Sequence, residues 1–377
     1  MSADARTGAP SSAAGELQAL RVRVLALIER LASGATDDTA RDALLGEVLR
    51  AQREAVAPYD RLVAQLATRG EHDPLRWPAL PTDVFRFARV ATHAPDSDLR
   101  AFRTSGTTDT QRGVHCLPSL ELYDRAAQAA ARYALFADVQ RMRLCVLAPA
   151  VSEAPDSSLS YMLDRFATWF GEGPSCHLFT GGVLDADRLA AELKRAVRDT
   201  APLALLGTSF AFVHAEDALG ARQFKLPAGS RIMQTGGFKG RSRTVEPAAL
   251  LEQLAARYGI GPAWIVQEYG MTELSSQLYE TTLRDAALGQ QVGPRRLWWP
   301  GWVRVTLTDP ETLAQLPAGA TGLVRIDDLA NVDTAAALQT SDLGQLVDGG
   351  LRVLGRATGA TPRGCSLAVD AVLGARP

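Results

Sequence analysis

Residues 16–31 carry Leu17, Leu20, Val24, Leu27 and Leu31 at alternating spacings of three and four, which puts them on one face and predicts an amphipathic helix. A second helical pattern covers about residues 38–67, where Pro58 is expected to break it. Neither segment clusters titratable side chains, so both are assigned to packing. Residues 78–90 (PALPTDVFRFARV) mix prolines with apolar residues and predict an irregular lead-in. Further on, residues 120–136 are helical in pattern, and residues 144–148 (LCVLA) form a continuous apolar run closed by Pro149, the mark of a buried strand. A helix over 158–170, a strand over 176–179, a Gly181-Gly182 turn, an Ala-rich helix over 185–199 and a second buried strand over 203–206 follow. Strands alternating with helices predict an α/β fold with a mainly parallel sheet covered on both faces. Ligands of such sheets sit at the carboxyl ends of the strands.

Composition narrows the function classes. The 377 residues are 46% hydrophobic and 22% charged, enough apolar material for a large core. A net charge of −2 argues against a nucleic-acid binder that works by bulk electrostatics. No stretch approaches a membrane span and no leader pattern opens the chain, so the expected location is cytoplasmic. Residues 1–15 are rich in Ala, Ser and Gly and are expected to be a disordered tail. The remaining expected divisions are a helical region over 16–100, a core over 101–340 and a C-terminal segment over 341–377. Cys116, Cys145, Cys176 and Cys365 lie far apart without a CxxC pair, which predicts reduced thiols rather than a zinc site or a disulfide framework. Lys194, Lys225 and Lys239 are the only lysines among 40 basic residues, so a compact ammonium has three candidates.

Four polar stretches interrupt the apolar pattern. In residues 102–115 (FRTSGTTDTQRGVH), Thr104, Ser105, Gly106, Thr107 and Thr108 form a hydroxyl-rich run between Arg103 and Arg112. Such a run either cradles a polyphosphate or forms a polar surface turn. Residues 230–243 (SRIMQTGGFKGRSR) lead a strand into a basic loop with Gly236, Gly237, Lys239, Arg241 and Arg243, a second candidate anion site or a solvated turn. Residues 264–273 (WIVQEYGMTE) end an apolar strand in Tyr269-Gly270-Met271-Thr272-Glu273. There Tyr269 suits stacking on a base, Thr272 a phosphate oxygen and Glu273 a Mg²⁺ ion. Residues 340–344 (TSDLG), a hairpin signal at Asp348-Gly349 and then Arg356 supply a carboxylate for ribose hydroxyls with positive charge nearby, or an ordinary β-hairpin. Residues 207–214 (GTSFAFVH) invite a hydrolase reading, with Ser209 as nucleophile and His214 as base. Ala211 replaces the second glycine of that elbow, however, and the histidine is misplaced along the helix. His115 and His177 are further candidates for contacting substrate, and His214 for lining a pocket. Trp298, Trp299 and Trp302 gather three of the six tryptophans and are assigned first to capping the sheet.

In that order, TSGTT, EYGMTE and TSDLG with a downstream glycine–arginine pair resemble the adenylate-forming superfamily of acyl-CoA ligases, luciferases and adenylation domains. More narrowly, PTDVFRF, FRTSGTT, GSRIMQTGGFKGRSR, EYGMTELSSQLYE, DLANVD and RGCSLAVD resemble the acyl-protein synthetase family, the fatty-acid ligases of bacterial bioluminescence operons. The resemblance covers roughly residues 78–374. It implies the large domain of an adenylate-forming ligase, with a small C-terminal β region.

The same resemblance implies ATP and Mg²⁺ as cofactors, a carboxylic acid of the fatty-acid class as substrate, and an acyl reductase as partner. Thr104, Ser105, Gly106, Thr107 and Thr108 would cradle phosphates, with Gly236, Gly237 and Gly270 among the ATP-binding positions. Tyr269 would pack on adenine, Thr272 and Glu273 would serve the α-phosphate and the metal, and Asp342 and Arg356 the ribose. Two loop positions depart from the superfamily pattern: Asp109 stands for a glycine and Arg112 for a lysine. Larger members add a mobile C-terminal domain with a reaction-centre lysine. Only residues 366–377 follow Cys365, so that domain is not expected, and Lys239 or Arg241 is the candidate substitute. Cys365, in its RGCS context, would accept the acyl group as a thioester. Arg363 would favour its thiolate, and a mobile tail would carry it to the adenylate. The competing reading of Cys365 is a small buried core residue. Transfer to coenzyme A or an amine, and a nucleotide-binding scaffold without catalysis, are the alternative functions.

Overall fold

The computed structural model describes residues 12–67, 71–104, 111–236, 246–357 and 363–373. Three helices open it: α1 (Ser12–Leu31), α2 (Asp38–Ala55) and α3 (Ala57–Leu66). Pro58 falls in the first turn of α3, where its missing N–H costs nothing, so the chain bends at Val56 as expected. A short strand β1 (Leu80–Pro81) and a 3₁₀ turn (Thr82–Arg86) lead to the hairpin β2 (Arg100–Arg103) and β3 (Val114–Leu117).

The alternating portion then runs α4 (Glu121–Ala134), β4 (Arg143–Pro149), α5 (Ser158–Phe170), β5 (Cys176–Thr180), β6 (Val183–Leu184), α6 (Ala186–Asp199), β7 (Leu203–Thr208), α7 (Ser209–Leu219), β8 (Arg231–Thr235), α8 (Pro247–Tyr258) and β9 (Ile265–Tyr269). After it come β10 (Leu278–Glu280), α9 (Thr282–Ala287), β11 (Leu297–Trp298), β12 (Val303–Thr308), β13 (Thr321–Asp328), β14 (Ala337–Val347), β15 (Gly350–Arg356) and α10 (Arg363–Leu373).

Among the described residues these strands build one 13-stranded mixed sheet in the order β12-β13-β14-β15-β11-β10-β9-β8-β7-β4-β5-β6, with β1 parallel to β14. Its middle, β9-β8-β7-β4-β5, is parallel throughout. Side chains alternate across that middle. Leu147, Leu205, Ile232 and Ile265 face α6, α7 and α8, whereas Val146, Leu206, Met233 and Val266 face α4 and α5. Each fully buried aliphatic side chain contributes roughly 2 kcal/mol, so the two faces together fix the register. The apolar runs seen in the sequence are therefore strands buried on both sides.

A third core lies where α1, α2, α3 and α10 cover β12–β14. The expected hairpin turn is present: Asp348 and Gly349 both take positive φ (49° and 73°), as a two-residue turn between β14 and β15 requires. Trp302 is fully buried and donates its indole N–H to Ser276 (3.0 Å), while Trp298 packs on Tyr133 (4.3 Å between centroids). Packing thus accounts for both tryptophans.

Candidate active site

The first polar stretch is the connection between β2 and β3, of which the structure describes the base. Thr104 N–H donates to Gly113 O (3.0 Å), and Gly113 N–H donates to Thr104 Oγ1 (2.8 Å), so the threonine closes the loop like a buckle. Arg112 donates through Nε to Thr104 O (2.6 Å), through Nη2 to Arg103 O (3.1 Å) and through Nη1 to the Asp156 carboxylate (2.8 Å). The Arg112 guanidinium thus braces the loop base and pairs with a carboxylate. Ser105, Gly106, Thr107 and Thr108 lie outside the described residues, as do Gly237, Lys239 and Arg241.

The third and fourth stretches meet. At the end of β9 the Tyr269 hydroxyl donates to Asp342 Oδ2 on β14 (2.8 Å), and Arg356, opposite Asp342 on β15, approaches its other oxygen (3.5 Å). Desolvation and the neighbouring carboxylate push the Tyr269 phenol well above its usual range, so it stays a donor. Gly270 follows, where a Cβ would lie 2.5 Å from Glu268 Oε1 and force that carboxylate to shift. Glu268 itself, 2% exposed, accepts a short hydrogen bond from the Thr235 hydroxyl, its neighbour across β8 and β9. Burial raises its carboxyl to about 7, opposed by that hydrogen bond.

The backbone beyond Gly270 is held from outside by side chains. His115 Nδ1 lies 2.7 Å from Thr272 O, Asn331 Nδ2 donates to Glu273 O (2.9 Å), and Asp328 Oδ2 accepts from Ser275 N (3.1 Å) and Ser276 N (2.8 Å). Asp328 is fully buried, and burial raises its carboxyl despite four hydrogen bonds to it. The Thr272 hydroxyl is near Ser158 Oγ at the start of α5 (3.5 Å), and Glu273 is buried to 8% exposure.

The remaining candidates separate. Ser209 Oγ is buried and lies near Gln234 Oε1 (3.3 Å) and Gly236 O (3.0 Å), while His214 is exposed and packs its ring against Phe210 (4.4 Å). No nucleophile–base pair exists there, and the hydrolase reading is excluded. His177 is largely enclosed between Ala148 O (3.4 Å) and Asp164 (3.9 Å), with Nε2 lacking a hydrogen bond. Cys365 lies in α10, 2% exposed, and burial with the Asp83 carboxylate nearby pushes its thiol up to about 11. A helix seated on α3 and on the 3₁₀ turn at Thr82–Arg86 replaces the expected mobile tail, and the expected thiolate is disfavoured in that seat.

A family model described as acyl-protein synthetase, LuxE, matches residues 61–374. The chain belongs to the acyl-protein synthetase family. No curated protein matches it significantly. Among solved structures, a 2-hydroxyisobutyryl-CoA ligase in an open conformation, in complex with its acyl-adenylate and CoA, aligns at a TM-score of 0.58 and 14% identity. The match covers 86% of this chain and 77% of that one. ATP-bound MatB from Rhodopseudomonas palustris gives 0.48 and 16%, over 70% of this chain and 49% of MatB. The luciferase-like enzyme of the mealworm Zophobas morio gives 0.48 and 13%, over 70% and 59%. This synthetase-family chain thus spans about half the length of the MatB structures it matches. The ligase alignment fits the expected fold, the large domain of adenylate-forming ligases.

Sequence reasoning missed Glu268, Asn331 and Asp328. The latter two stand inside the family string DLANVD, yet what they hold is distant in the chain. Glu268 gave one available signal, the unbroken string Glu-Tyr-Gly, in which the glycine must yield to the carboxylate.

Proposed function

We propose that this protein is an ATP-dependent ligase that activates a carboxylic acid, a fatty acid by family resemblance, as an acyl-adenylate. The observation that carries this reading is the convergence of Tyr269, Asp342 and Arg356 beside the Thr272–Glu273 turn, at the carboxyl end of β9 where parallel sheets bind ligands. Asp342 accepts hydrogen bonds and so suits the two ribose hydroxyls. Tyr269 offers a ring for adenine, Thr272 a hydroxyl for the α-phosphate, and the glycine-rich segments backbone N–H groups for the others.

Mg²⁺ needs only one or two protein carboxylates beside phosphate oxygens, and Glu273 supplies one; when bound, the ion neutralises phosphate charge. The substrate carboxylate forms a bond to the α-phosphorus as the bond to pyrophosphate breaks. The chain's task is to hold the two anions together with fixed donors. Cys365 is the proposed acyl acceptor: its sulfur bonds to the acyl carbon, AMP leaves, and the thiol proton goes to solvent. For that step α10 leaves its seat, since the thiol is enclosed where it stands. A partner reductase then takes the acyl group.

Incubation with MgATP and labelled fatty acids tests this. Pyrophosphate exchange and a hydroxylamine-sensitive label on the polypeptide, absent from Cys365→Ser, are expected. No exchange with any acid would leave only a nucleotide-binding scaffold. The burial of Cys365 favours one second reading, transfer to free coenzyme A or an amine. Thioester formed from added CoA by Cys365→Ser would establish it.

A further inference from the structure

We propose that His115 is a positioning residue that fastens strand β3 to the Thr272–Glu273 turn, so that the turn offering the proposed α-phosphate and metal groups is held in one place. The inference rests on the adenylate-forming reading above and names a residue that reading does not use.

His115 stands on β3, a few residues past the hydroxyl-rich run, and is fully buried. Its Nδ1 lies 2.7 Å from Thr272 O, a carbonyl that can only accept, so Nδ1 carries a proton. Its Nε2 lies 3.0 Å from Thr334 Oγ1. In a neutral ring that nitrogen accepts, and the threonine hydroxyl donates to it. A single tautomer therefore satisfies both nitrogens. Burial keeps the ring neutral by lowering its pKa to about 4, and Phe85 packs edge-on against it (5.8 Å, 86°).

The second partner matters as much as the first. Thr334 belongs to the 328–336 loop, whose Asn331 holds Glu273 O. Two consecutive carbonyls of the turn, at Thr272 and Glu273, are thus held by side chains that are themselves joined through Thr334. A histidine that only filled space would be replaceable by any side chain of similar bulk. A histidine that sets the turn is replaceable only by one that keeps a donor at Nδ1. Misplacing a reacting group by about an ångström can cost on the order of a hundredfold in rate, which is the scale to look for.

The test compares His115→Leu, which keeps bulk and loses the bond, with His115→Asn, whose amide N–H stands near the place of Nδ1. Pyrophosphate exchange is measured with MgATP and a panel of straight-chain fatty acids, and backbone deuterium exchange over residues 271–277 is measured on the ligand-free protein. His115→Leu is expected to lose roughly 10- to 100-fold in kcat with little change in KM for the acid, and to exchange faster over 271–277. His115→Asn is expected to stay within about threefold of the parent on both measures. Equal losses in the two variants, or parental behaviour of His115→Leu, would overturn the proposal. If His115→Leu does not fold, Thr334→Val removes only the Nε2 partner; faster exchange over 271–277 supports the latch and an unchanged rate refutes it. Should the unmodified protein show no pyrophosphate exchange with any acid, the ligase reading falls, while deuterium exchange still decides what His115 holds.

Discussion

Glu268→Gln offers a direct measure of how the strand ends are built. The carboxyl is enclosed by the Thr235 hydroxyl, with Tyr123 and Tyr279 within electrostatic reach, and burial lifts it from 4.5 to about 7. A rise of that size corresponds to roughly 3 kcal/mol, at about 1.4 kcal/mol per pKa unit. Its sign follows from proton counting. Between the two pKa values the folded chain keeps the proton and the unfolded chain releases it, so stability falls as pH rises. The contribution is complete below pH 4.5 and gone once pH passes about 7. Glutamine carries no such proton and can still pair with Thr235. Urea unfolding of both proteins near pH 5 and near pH 8 should show the stability of the parent relative to Glu268→Gln dropping by roughly 2–3 kcal/mol across that interval. Titrating groups common to both proteins cancel in the comparison. A difference constant to within about 0.5 kcal/mol would refute the buried, proton-holding carboxyl.

Other perturbations address the neighbouring groups. Asp342→Ala should raise KM for ATP roughly tenfold in pyrophosphate exchange, the loss of one or two charge-assisted hydrogen bonds. Asp328→Ala orphans Ser275 N, Ser276 N and the Ser276 hydroxyl, and should cost about 3 kcal/mol or more in urea unfolding. Gly270→Ala brings a Cβ onto Glu268 Oε1; a loss of about 2 kcal/mol is expected, shrinking below about 1 kcal/mol when Glu268 is also alanine.

The parallel middle of the sheet was legible because its strands are short apolar runs with helical periods between them; residues 158–170, for instance, form a helix over that whole span. Tyr269 and Asp342 were legible as chemistry because both end or open polar strings after apolar ones. Their partnership was not, since 73 positions separate them and only the antiparallel β9–β10–β11–β15–β14 course brings them together. The pairing of Arg112 was not legible either, since its partner Asp156 lies 44 positions on. Burial of Cys365 was one of the two readings the sequence offered, whereas its seat on α3 and on Thr82–Arg86 was hidden, because those partners lie far away in the chain.

The family match begins at residue 61, inside α3, yet Gln52 on α2 lies outside it and is completely buried. Its amide donates to Asn331 O (2.8 Å) and Val332 O (3.0 Å) and accepts from Ala336 N (2.9 Å), while Arg21 on α1 reaches Asp333 (2.6 Å). A fragment trimmed to the family's own limits would therefore amputate the struts beneath Asn331 and Thr334. Inactivity in such a fragment would report a missing buttress and say nothing about chemistry.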